Sequence, residues 1–356
     1  MTISKIRPRV CGISIATPIA TLCFGTNAAE AHVKWFCAFD VAGQPRGLEN
    51  VLCPEFELLV GLSIFVLAAA CLVEGTILGR ALLRSLDRTT TFVHENGELL
   101  FRAVGGFFFV SLWSLGGILL TPELRTTSTT VPWIQLGMAA CLLFRATMPL
   151  TGIGIIGLFT SALMQYGSFH LMDYPIFLGV ALYFILTPLN RTFFGLRPLD
   201  VVRWTAAITL MWASIEKWAY PEWTFPLFIT HAKMTLGYDR EFFMRAAGAI
   251  EFTLAFSLIW TPLVRRASAI VLAAMFTTAV SEFGKVDAIG HAPIIAAMLV
   301  IAADRPARAA LVAEPKKWLS RLMPSAGVPL GYGAALALFL SVYYLLHSIM
   351  FGTSVL

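Results

Sequence analysis

The residues best suited to chemistry are concentrated between Trp212 and Arg266. An apolar segment there ends in Glu216-Lys217, and a loop rich in Trp, Tyr and Pro follows. A second apolar segment carries Glu251 inside it and stops at Arg265-Arg266. An ionisable group within an apolar span is expensive and by default marks a functional site. Glu251, Lys217 and Glu216 are therefore the candidates for acid–base work. Two readings of Glu251 stay open. It forms a buried pair with Lys217, or with Lys285 at the same depth, or it works alone as a proton-handling carboxylate. The aromatic loop residues Trp218, Tyr220 and Trp223 suit a membrane–water interface and would seat a flat ring such as a quinone.

The histidines are a second candidate set. His32, His170, His231, His291 and His347 fall at or near one face in the topology developed below, and His94 falls on the other. Imidazole suits copper, zinc, iron and nickel. His32, His170, His231 and His291 are accordingly candidate ligands for copper or another transition metal. No two histidines stand at a ligand spacing such as H-x3–5-H, so they also read as ordinary polar rim residues. No phosphate-binding loop, HExxH or CxxC pair is present. Gly152, Gly154 and Gly157 match G-x-G-x-x-G as a string only. They lie in an apolar span, where close helix packing is the better explanation.

These residues must be positioned by membrane helices. Hydrophobic residues make up 58% of the 356 and charged residues 13%, with mean hydropathy +0.76. Soluble domains run near 45–50% apolar and about 25% charged. The fold class is all-α and polytopic, with the lipid bilayer as its first partner. The net charge of +5 does not indicate nucleic acid, because basic residues in such chains mark cytoplasmic loops.

In chain order, residues 1–31 read as a cleaved signal peptide. Lys5, Arg7 and Arg9 precede an apolar run, and Ala29-Glu30-Ala31 fits the small-x-small cleavage pattern. Residues 32–56 then form a periplasmic segment in which Cys37 and Cys53 are a disulfide candidate in an oxidising compartment. About ten helices follow, near 57–78, 99–120, 131–144, 147–166, 174–189, 201–220, 246–261, 267–283, 291–303 and 328–351. They divide into an N-terminal group (57–190), a second group (200–305), a cytoplasmic loop (306–327) and a last helix (328–356). Arg80, Arg84, Arg88, Arg265, Arg266 and the basic residues from Arg305 to Arg321 all fall on one side. That excess orients the chain with the mature N-terminus and the C-terminus on the periplasmic side of an inner membrane.

Residues 201–305 resemble the DoxX-like membrane family. The resemblance rests on Ala213-Ser214-Ile215-Glu216-Lys217 followed by Pro221, and on Gly248-Ala249-Ile250-Glu251 at the opening of the next helix. It departs from the family pattern where Ala213 and Ser214 replace the glycine expected before the lysine. The resemblance implies a four-helix unit and a quinone-linked redox component or accessory, served by a periplasmic redox partner protein. The alternatives are a metal-handling or transport protein using the outer histidines, and a scaffold whose intramembrane charges only order the bundle.

Overall fold

The computed structural model describes residues 39–305 and 318–353, with the side chains of Ser281 and of residues 318–322 set aside. The expected signal peptide, His32 and Cys37 lie outside the described residues. Cys53 makes no disulfide among those described.

Ten of the principal helices correspond to the ten apolar segments. They are α1 (Pro54–Glu74), α3 (Thr91–Leu115), α4 (Val131–Cys141), α5 (Met148–Tyr166), α6 (Pro175–Leu186), α7 (Pro198–Ala219), α8 (Arg240–Ser257), α9 (Pro262–Phe283), α10 (Lys285–Ala303) and α11 (Trp318–Phe351). An eleventh, α2 (Ile77–Thr89), connects α1 to α3. No strand forms among the described residues, only two isolated bridges. Proline supplies the start of α1, α4, α5, α6, α7 and α9, where its missing N–H and fixed φ cost nothing. Asp239 starts α8 differently, its carboxylate accepting from the backbone N–H groups of Glu241 and Phe242 at 3.0 and 3.2 Å.

Six helices among the described residues are long and apolar enough to cross a membrane: α1, α3, α5, α9, α10 and α11. The outward side of α1 carries Leu58, Leu62, Phe65 and Val66, all exposed. A contiguous apolar strip of that kind is unfavourable in water and suits lipid.

Several boundaries differ from the sequence reading: α8, α9 and α10 start earlier than expected, at Arg240, Pro262 and Lys285, and three further differences change an element. The first span ends at Glu74, because Thr76 caps a new helix by accepting from Gly79 N. The resulting α2 is amphipathic and takes up residues expected to be loop. The third helix starts at Thr91 and kinks at Asn96, whose side chain donates to Phe92 O. The last helix begins at Trp318, ahead of the expected 328, and runs through Pro324 and Pro329. Proline removes one backbone hydrogen bond per site, and here the helix continues past both.

The packing order positions the site. α7 packs on α8, α8 on α9, α9 on α10 and α10 back on α7, closing a four-helix unit. α1 and α11 pack on each other and α1 also packs on α8. On the other side α6 lies against α7 and α5, while α3 lies against α10 and α4. The glycine-rich helix α5 behaves as expected at two of its three positions. A Cβ on Gly152 would meet Ala181 O at 2.5 Å, and one on Gly154 would meet Met138 Sδ at 2.7 Å, whereas Gly157 faces open space.

Candidate functional site

α7 and α8 run side by side, and their seam carries the ion pair. Lys217 Nζ lies 2.5 Å from Glu251 Oε2. The two side chains are 23% and 11% exposed, so water reaches the pair only partly. Glu216 is also buried, but successive helical residues diverge by about 100° and Lys217 alone reaches across to Glu251. Lys285, the other basic candidate, is exposed at the start of α10 and takes no part.

Trp218 closes the seam on one side. Its indole N–H donates to Arg245 O at 3.1 Å, and its ring lies against the backbone at Gly248, where a Cβ would come within 2.4 Å of Nε1. The glycine of the G-x-x-E stretch is thus required for the close approach of α7 and α8.

Above the pair sits a polar lid that sequence reasoning missed. Arg46, from the segment before α1, donates through Nη1 to Glu241 Oε2 at 2.6 Å and through Nη2 to Oε1 at 3.1 Å. This is the two-pronged geometry in which a guanidinium holds a carboxylate most firmly. Arg46 also pairs with Glu222. The hydrogen bond from Arg46 holds the Glu241 carboxyl below its ordinary range, and the same contact pushes the guanidinium further up. The backbone of Arg46 is fixed as well: its N–H donates to Ala219 O at 2.9 Å and its carbonyl accepts from Tyr344 Oη at 2.6 Å. Arg46, Asn50, Lys217, Trp218, Glu241 and Arg245 together line a small polar hollow at the mouth of the seam.

The aromatic loop is packed rather than open. Tyr220 and Trp223 stack on each other, with centroids 4.1 Å apart and planes 7° from parallel. Tyr220 Oη donates to Gly43 O at 2.7 Å and lies 2.8 Å from His347 Nε2. His347 Nε2 also lies 2.9 Å from Val41 O, which assigns the proton to Nε2 and leaves Nδ1 to accept from Thr353 Oγ1 at 2.7 Å. Tyr220 and Trp223 therefore hold the 39–53 segment and the end of α11 over the bundle, while Trp218 is engaged in the α7–α8 seam.

The expected histidine cluster is not assembled. His170 lies 2.8 Å from Glu123, His231 lies 2.8 Å from Glu282, and His291 lies 2.9 Å from Asp287, each on a different element. No group of three or more His, Cys, Asp or Glu side chains suited to a metal ion forms among the described residues. The physical reason is that each imidazole has a carboxylate beside it, and the bundle holds the three sites apart.

The opposite end of the molecule carries a second ionic network. Arg266 is fully buried, with Nη1 2.6 Å from Asp87 Oδ1, Nε 2.7 Å from Ala302 O and Nη2 3.1 Å from Thr90 Oγ1. Asp304 takes Arg197 at 2.9 Å and Arg265 at 3.3 Å. Arg265 and Arg266 stood in the sequence reading only as markers of orientation. Their partners Asp87 and Asp304 lie far away in sequence, and a flanking acid in each basic loop was the available signal. No family model, curated protein or solved structure matches this chain.

Proposed function

We propose that this chain is an integral inner-membrane protein whose α7–α10 unit serves a quinone-linked periplasmic redox system, with the Lys217–Glu251 pair handling protons at the outer end. The observation that carries the reading is the pair itself: an ammonium and a carboxylate in contact, mostly buried in the α7–α8 seam and close to a polar mouth. Groups so placed exchange a proton with a bound redox partner more readily than with bulk water. The closed four-helix packing of α7–α10 agrees with the unit expected from the DoxX-like resemblance. A periplasmic redox partner would approach over the lid formed by Arg46, Glu222 and Glu241.

In this reading the four shorter or more polar helices, α4, α6, α7 and α8, cross the membrane together with the six long ones, the signal peptide is removed, and both mature termini face the periplasm. Support comes from which ends meet. Arg46 joins Glu222 and Glu241, and Tyr220 joins His347, all assigned to the outside. Arg266 joins Asp87, Arg197 joins Asp304, and Arg145 joins Glu98, all at helix ends on the side this reading makes the inside. α6, at 12 residues, is only about 18 Å long, short of a hydrocarbon core of about 30 Å, but it is buried on most of its surface and needs no lipid-facing length. The copper-type alternative draws no support from the separated histidines.

The test is quinone content after mild extraction, read from the ultraviolet difference between oxidised and reduced headgroups. Stoichiometric quinone that is reduced by an added donor in the native protein, but not in Glu251→Gln, is the expected result. Native protein without bound quinone and without any headgroup change would overturn the proposal.

A further inference from the structure

Two grooves run along α3 on either side of Phe107. The first, of about 560 Å³, lies between α3 and α4, and the second, of about 380 Å³, lies between α3 and the α9–α10 pair. Ala103 and Phe107 border both. On α3 the stripe from Leu99 to Val110 lines the first groove, a rise of about 16 Å. That is close to one leaflet, half of a hydrocarbon core of about 30 Å.

The walls are apolar apart from Thr277 in the second groove, whose hydroxyl is satisfied by Ala273 O, and Arg102 at one end of the first. Arg102 Nε donates to Leu142 O at 2.8 Å, and the same guanidinium also donates to Leu143 O, which fixes it at the end of α4. Arg145 lies beside it, 53% exposed, and the two arginines share one carboxylate, Glu98, at 3.9 and 3.2 Å. The Arg102–Glu98–Arg145 group therefore has one more cation than anion, at what the membrane reading makes the inner surface.

The glycines show that the first groove is built open. Gly105 is packed, since a Cβ there would meet Leu142 at 3.0 Å and Phe184 at 3.2 Å. Its neighbour Gly106 borders the groove and has nothing within 4 Å of the same position. Gly106 is not needed for helix contact. Its missing side chain leaves room.

We infer that these paired grooves form a binding site for one anionic phospholipid of the inner leaflet, with an acyl chain on each side of Phe107 and the phosphate against Arg102 and Arg145. Two tails match two grooves that meet at a common ridge. A negative head matches the surplus charge at one end only. The site rests on the membrane reading of the chain and is independent of the quinone reading, so each can fail without the other.

The test uses purified, delipidated full-length protein in detergent, titrated with phosphatidylglycerol or with phosphatidylcholine of the same chains and read by native mass spectrometry. The expected result is one retained phosphatidylglycerol with at least tenfold preference over phosphatidylcholine. Gly106→Leu fills the open space without meeting backbone and should abolish retention. Ala140→Leu, from the exposed side of α4 in the same groove, should do the same, and both should keep the helical circular dichroism of the native protein. Arg145→Gln should keep lipid but bring the two headgroups to equal affinity. Equal binding of the two lipids by the native protein, or undiminished retention in both groove-filling variants, would overturn the inference. So would a disulfide between copies formed through a cysteine at Leu136, which would show a second copy of the chain covering the groove.

Discussion

Replacing Glu251 by Gln leaves Lys217 without its carboxylate in a seam closed by Trp218. With side chains 23% and 11% exposed, the pair lies between two regimes. Exposed pairs contribute about 0–1 kcal/mol, and breaking a fully buried pair costs about 3–5 kcal/mol. Glu251→Gln alone should therefore cost about 2–3 kcal/mol, and Lys217→Met alone a similar amount. Most of that cost is the desolvated partner left behind, so removing both should recover it. The double change Glu251→Gln with Lys217→Met should fall within about 1 kcal/mol of the native protein. Unfolding in detergent or nanodiscs, followed by tryptophan fluorescence and repeated for all four proteins, measures the coupling. The coupling expected from these values is about 3–6 kcal/mol, at or above the top of the range of about 0.5–3 kcal/mol for groups in contact. Additive single effects would refute the pair as an energetic unit. Loss of quinone reduction in Glu251→Gln at unchanged stability would assign the carboxylate to chemistry alone.

At the other end, Arg266→Met should cost about 3–5 kcal/mol by leaving Asp87 and Ala302 O without their donor, measured by the same unfolding assay. Gly248→Ala should cost about 1–3 kcal/mol by forcing Trp218 off Arg245 O, and should shift the tryptophan emission. The Glu241 carboxyl is held below its ordinary value of 4.5 by Arg46, so this contact stabilises the protein fully above that value. The contribution should fade as pH drops through the lowered value, and Arg46→Gln should remove this part of the acid sensitivity in a pH series of unfolding midpoints. A cysteine at Tyr238 should react with an impermeant thiol reagent added outside intact cells, and one at Ser85 should not. Labelling at Ser85 would reverse the proposed orientation.

The apolar segments were legible because each needs only its own composition and length. All ten became helices, and the Glu251–Lys217 pair was legible for a related reason. A lone carboxylate in an apolar helix needs a partner, and few basic groups lie at its depth. Less legible were elements defined by contacts distant in sequence. α2 is short and amphipathic, so its polar residues resembled a loop until Arg266 was seen to reach Asp87 and Thr90 on it and beside it. The start of α11 was misplaced because the basic, proline-containing stretch before 328 read as a cytoplasmic loop, yet the helix continues through Pro324 and Pro329. Arg46 carried no local sign of its role, since Glu222 and Glu241 lie well beyond it in sequence.

The aromatic loop shows what residue type alone leaves undecided. Trp218, Tyr220 and Trp223 are the residues expected to face a membrane interface or hold a ring, and their spacing permits either. What decides is the supply of competing partners. Arg245 O takes the Trp218 indole, Gly43 O takes the Tyr220 hydroxyl, and Trp223 covers the Tyr220 face. Each polar edge satisfied within the chain is one less available to a ligand, and each stacked face is one less surface for a quinone ring. Any quinone serving the Lys217–Glu251 pair must then approach from the seam rather than between these aromatics. The quinone reading therefore stands or falls on the α7–α8 seam: changes at Trp223 should alter the hold on the 39–53 segment before they alter binding. A Trp223→Leu variant that loses quinone while Tyr220, His347 and the segment stay in place would reverse that order.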